Sequence, residues 1–218
     1  MALLLGLFIV HLGFTTLARL RRAQTRLEVR TDALVATRIT RHVVRRELRH
    51  GRHGDDWFVN DDSIFLRAFR GTALVCPYDT LTLELTVVFG GDRRPDPSKD
   101  SVLLIGPLGS LEARALTGVG SSSNPCGPTA LPPPETWRLD AAVPPGSVVA
   151  RLYERGSYHL SASALRYRRG ASGRQPLTPE VWSASSAWVR TGRVLGLEAR
   201  YRDSEAGAPW SAFLAWLE

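Results

Sequence analysis

Lysine is almost missing from this chain: Lys99 stands alone beside 27 arginines in 218 residues. Such one-sided usage reads as the codon composition of a GC-rich genome rather than as chemistry. Cysteine is scarce as well, with only Cys76 and Cys126 and 49 residues between them. Two cysteines without a CxxC pair cannot by themselves build a structural zinc site. In an oxidising compartment they would pair, which on the chain-entropy model stabilises by roughly 4 kcal/mol; two buried thiols are the alternative. Charge is absent from Met1–Ala18, and proline and glycine are absent from Arg19–His50. Nothing therefore interrupts a helix of about 48 residues, roughly 70 Å long at ~1.5 Å per residue. Ordinary globular helices average about 11–12 residues.

What is present is ordinary globular material, 44% hydrophobic and 22% charged, which excludes wholesale disorder. The length fits one domain with an appended helix. Net charge is +7 with a pI near 10.2. Basic excess of this size is one mark of a nucleic-acid binder. Here much of it sits in the helix, from Arg19 to Arg49, and no nucleic-acid motif accompanies it, so no nucleic-acid partner is expected.

The opening is a membrane-like segment with three irregularities. Its 18 uncharged residues, His11, Thr15 and Thr16 among them, fall short of the ~20 that a spanning helix needs. No basic region precedes the apolar run, and no small-x-small site closes it, as a secretory signal requires. The arginines follow the run, so the positive-inside rule alone would keep the remainder cytoplasmic. These point to a true start upstream of Met1.

An apolar start, a long helix with a basic second half ending VVRRELRHG, and short strands after it together resemble the type IV pilin and type II secretion pseudopilin superfamily, the minor J and W types above all. DDSIFLRAFRGTALVC, ALRYRRGASGRQPLTPEVWS and LGLEARYRDSEAGAPWSAFLAWLE extend the resemblance to both ends of the chain. Gly13–Leu17 looks like the family's cleavage motif, but position 18 is Ala rather than Glu, and we treat it as a decoy. The processing site is then not in this sequence. The resemblance implies a pilin-like α+β fold: residues 1–18 embedded in the membrane, residues 19–51 an amphipathic continuation, and residues 52–218 a mostly antiparallel, β-rich head. It implies a single-pass protein of the inner membrane with its head in the periplasm. Its function would be that of a non-enzymatic subunit in assembly of a pilus or pseudopilus. The implied partners are other minor and major pilins or pseudopilins, the inner membrane, and a prepilin peptidase if the start lies upstream. The alternative is a membrane-anchored periplasmic β-sandwich that binds a ligand.

Along the helix Leu20, Leu27 and Leu34 recur every seven residues, and Val35, Ile39 and Val43 every four. They predict one drifting apolar face. Residues 34–48 are expected to pack on the chain's own sheet, and Leu20 and Leu27 on neighbouring helices. Gly51–Gly54 should stop the helix.

Past residue 56 the period becomes that of strands. We expect them at Trp57–Val59, Ser63–Phe69, Thr72–Cys76, Thr80–Phe89, Val102–Ile105, Val148–Arg155, Ser157–Ser161, Leu165–Arg169, Gly196–Arg202 and Ala212–Leu217. Gly118–Pro134 reads as a loop pinned by Cys126.

Candidate chemistry is sparse. Gly118-x-Gly120 opens no helix and is no dinucleotide fingerprint. His42 and His50 share a helix face without an acidic neighbour at ligand spacing, and His159 is alone on a strand. Asp55, Asp56, Asp61 and Asp62 do not have EF-hand spacing and read as turn formers. Trp182, Trp188, Trp210 and Trp216 read as packing. The chain is therefore read as non-enzymatic, without catalytic, cofactor or metal residues.

Overall fold

The computed structural model describes residues 2–60, 62–76, 83–122, 126, 132–200 and 210–216; for 2–5, 210, 212, 213, 215 and 216 it describes backbone alone. One helix, α1 (Ala2–Leu48), precedes twelve strands: β1 (Trp57–Val59), β2 (Ser63–Val75), β3 (Glu84–Gly91), β4 (Asp100–Ile105), β5 (Leu111–Ser121), β6 (Glu135–Leu139), β7 (Val149–Ser161), β8 (Ala164–Arg169), β9 (Gln175–Pro176), β10 (Ala187–Thr191), β11 (Val194–Ala199) and β12 (Trp210–Trp216).

Six strands close into an antiparallel barrel in the order β2-β3-β6-β5-β4-β7, with β7 pairing back onto β2. This corrects the pilin-like head expected from the sequence: a closed barrel is not a pilin-like fold, although one helix and a β-rich domain remain loosely α+β. Closure removes two sheet edges that would otherwise need covering. Trp137, Leu85, Val87, Leu104, Leu116 and Leu152 fill the interior, all nearly or fully buried.

The two longest strands, β2 and β7, have 13 residues each and outrun the barrel. Their overhanging ends carry β1, β8 and β9, and build a second core with α1 and a separate three-stranded sheet, β10-β11-β12. Ile64, Leu66, Ala68, Tyr158, Trp182 and Leu197 form it. A bulge separates the two uses of β2. Phe69 pairs with Tyr153 and Gly71 with Leu152, so Arg70 is left over in the ladder. One inserted residue shifts the period-two alternation, so even positions (64, 66, 68) are buried before it and Ala73 after it.

The expected strands divide β2 at this bulge and β7 at Gly156, where its pairing is regular, and they leave out β5, β6, β9 and β10. Most of β5 is exposed and only Leu116 is buried, so no alternation marks it. The loop expected over Gly118–Pro134 thus begins as strand. Of the strand expected over Thr80–Phe89, residues 80–82 lie outside the described residues, as do Asp61, residues 201–209 and Leu217.

The second half of α1 packs on β12, β2 and β8. Its buried side is made of Ala33, Ala36, Thr37, Thr40, Val44 and Leu48. The two threonines reach this interface because each hydroxyl donates to the carbonyl four residues back, at 2.8 Å, leaving no unmet polar group. Leu34 and Val35, expected in the interface, are 49% and 48% exposed; Ile39 and Val43 are half-buried at its margins. Small side chains won because they let the helix backbone approach the sheet closely.

The single-pass inner-membrane placement is also corrected. Among the described residues no helix is long and apolar enough to cross a membrane. Arginines enter α1 at Arg19, before an apolar stretch of spanning length is complete.

Candidate assembly helix

The described side chains of α1 from Gly6 to Asp32 are mostly exposed, and the large apolar ones among them, half-buried Val29 apart, stay in solvent. Leu7, Phe8, Ile9, Val10, Leu12, Phe14, Leu17, Leu20 and Leu27 are each more than half exposed. Exposed apolar surface on this scale makes the projecting half a candidate association surface.

Two rows of side chains, each stepping by three or four residues, run the length of this helix. The first passes through Arg19, Arg22, Arg26 and Arg30 and continues as Ala33, Thr37, Thr40, Val44 and Leu48. It is basic where it projects and small or apolar where it docks. The second passes through Leu17, Leu20, Gln24, Leu27, Thr31 and Leu34 and continues as Arg38, Arg41, Arg45 and Arg49. It is mainly leucine where the helix projects and basic where the head lies behind it. The rows exchange character near residue 33, where the head begins. A shallow concavity of about 720 Å³ on the outer side of the docked half is lined by Arg38, Arg41, His42, Arg45, Arg46, Arg49 and His50.

The docked end is fixed to the head by a chain of charges. The bulged Arg70 donates to Glu47 of α1 at 2.7 Å and to Glu154 of β7 at 2.9 Å. Tyr167 donates to the same Glu154 oxygen at 2.9 Å, and Arg93 to the other at 3.0 Å. Arg93 also grips the fully buried Asp100 carboxylate with both terminal nitrogens. Burial alone would push the Glu154 carboxyl up; hydrogen bonding to Arg70, its charge, Tyr167 and Arg93 outweigh it and hold the group below the ordinary carboxylate range. Burial opposes the charge on Arg70 too, yet Glu47 and Glu154 hold its pKa above the ordinary value. Arg151 completes the junction by donating to the His50 carbonyl at the end of α1 and stacking over Phe69. No local motif announces this network: its members are spread from Glu47 to Tyr167, and only the bulge brings Arg70 between the two carboxylates.

The other sequence candidates sit as follows. Cys76 and Cys126 are paired as a disulfide, their Cα atoms 5.3 Å apart. His159 is buried and hydrogen-bonds Ser157 Oγ at 2.8 Å, but its Nδ1 meets no partner, so no acid orients the ring as a hydrolytic triad requires. Burial, then Arg174 and Arg168, lower its pKa. Asp56 accepts from the Arg52 amide at 2.9 Å and from Arg67 at 3.1 Å, closing the turn after α1. Trp182 and Trp188 belong to the second core; the side chains of Trp210 and Trp216 lie outside the described residues. Among the described residues no group of three His, Cys, Asp or Glu is placed to hold a metal ion.

No family model matches this chain, and no match is found among curated proteins or solved structures. The resemblance to pilins and pseudopilins thus rests on the sequence motifs alone.

Proposed function

We propose that this chain is a non-enzymatic assembly subunit, in which the barrel head presents α1 and α1 joins the chain to other subunits. The observation that supports this most is the exposure of the large apolar side chains between Leu7 and Leu27, on a helix rigidly held at its far end by the Arg70 network. A surface of that kind is stable only when something covers it. The sequence resemblance supplies the setting, assembly of a type IV pilus or type II secretion pseudopilus. The barrel is not the head which that resemblance implies, so the reading rests on the helix.

A photo-crosslinking residue at Leu27 of the full chain, in its native cell, tests the reading. Protein adducts are expected there and not from Leu74, which is equally exposed on the barrel. A chain that stays monomeric at cellular concentration and gives no adduct at Leu27 overturns it.

A further inference from the structure

The second row of α1 is a heptad seam whose charge forbids self-pairing. From Val10 to Arg41 it alternates steps of three and four without a break, the spacing at which one helix packs along another. Over this stretch its large apolar members are Val10, Leu17, Leu20, Leu27 and Leu34, with Gly13, Gln24 and Thr31 at the positions between them, and Arg38 and Arg41 close it. The five large apolar residues and both arginines are exposed, and the row is centred on a different side of the helix from Ala36, Thr40 and Val44, which face the head. Past residue 33 a partner helix on the seam would run alongside the row that faces the head.

A second copy fits this seam badly. Laid parallel and in register, it sets Arg38 against Arg38 and Arg41 against Arg41. Laid antiparallel, it puts the arginine end of one helix on the apolar end of the other. Residues 19–49 carry ten Arg against three acidic residues, Glu28, Asp32 and Glu47, and Glu47 is already committed to Arg70. Like charges in one seam exclude a partner as effectively as matched ones select it.

Resting on the assembly reading above, we propose that α1 pairs with a helix of a different chain, apolar opposite residues 10–34 and acidic opposite Arg38–Arg49. The exposed leucines supply the buried contact, and the arginines fix which partner docks and in which register. Arginine suits that role because its planar fork holds carboxylates with two hydrogen bonds.

The probe is a synthetic five-heptad peptide with leucine and isoleucine along its seam and glutamate at the positions facing Arg38–Arg49, measured against the full chain by fluorescence anisotropy. A twin peptide carries lysine in place of glutamate. Binding of the acidic peptide is expected to be at least tenfold tighter than that of the twin. The double variant Arg38→Glu, Arg41→Glu should reverse that preference, and Leu27→Asp should abolish both. All three sites are exposed, so unchanged thermal melting confirms that each variant folds.

Equal binding of both peptides overturns the proposal. So does displacement by duplex DNA that depends on the arginines but not on Leu27, which would make the row a polyanion site. A full-length homodimer that Leu27→Asp dissolves overturns it while leaving the assembly reading intact. Adducts at Leu27 without any peptide binding do the same, whereas loss of both defeats the two readings together.

Discussion

Residues 6–32 and 33–48 belong to one helix and solve opposite problems. The docked half buries alanine, threonine and valine and turns arginine outward. The projecting half leaves phenylalanine, leucine and isoleucine in solvent and carries its arginines on the side that farther along becomes the interface. Side-chain size is thus a misleading guide to intramolecular burial here. The largest apolar groups of the helix stay in solvent, and the internal joint is made mainly by small groups and a charge network.

The largest effect should come from cutting that network. Glu154→Ala leaves Arg70 and Arg93 without their shared acceptor and is expected to destabilise the fold by about 3–5 kcal/mol, as breaking a buried pair does. Urea unfolding measures it; a loss under 1 kcal/mol would show that the docked half holds without the charges. Next in size is Ala36→Leu, which overfills a fully buried contact and should cost about 1–3 kcal/mol. If it were silent, the joint would not be tight.

Acid should weaken the joint gradually. Glu154 has a folded pKa below its ordinary value, so its contribution is complete above the ordinary carboxylate range and is lost as pH falls through the folded value. The stability difference between the native chain and Glu154→Gln should accordingly shrink as unfolding midpoints are followed from pH 6 to pH 3. A difference that grew in acid would reverse the assignment. Smallest of all, Leu20→Ala and Leu27→Ala should leave stability within about 0.5 kcal/mol, since both side chains are already in water. On the assembly reading their effect should appear in crosslinking at the helix instead. A large loss of monomer stability would erase the distinction between the two halves.

Much of the candidate site was legible in sequence. The uninterrupted helix follows from the absence of proline throughout it and of glycine after Gly13, and the unpartnered character of Leu20 and Leu27 from their distance to the head. Leu34 and Val35 misled for a physical reason: heptad spacing shows that a face wants a partner, not which partner it meets. The strands with buried alternating residues, such as Trp57–Val59 and Ser63–Phe69, were readable from period two, and Val102–Ile105 from its continuous apolar run. The exposed β5 gave no such signal, and the barrel itself depends on which strands pair across long distances.

Sequence by itself determined a long helix, strands where alternation is strong, and a heptad row ending in arginine, because each is set by residues within a few positions of one another. Tertiary structure alone decided that β7 returns to β2 to close a barrel and that Arg70, freed by the bulge, sits between Glu47 and Glu154. It also decided which side of α1 faces the head. Those outcomes depend on backbone pairing and close packing between segments up to a hundred residues apart, and no local pattern encodes them.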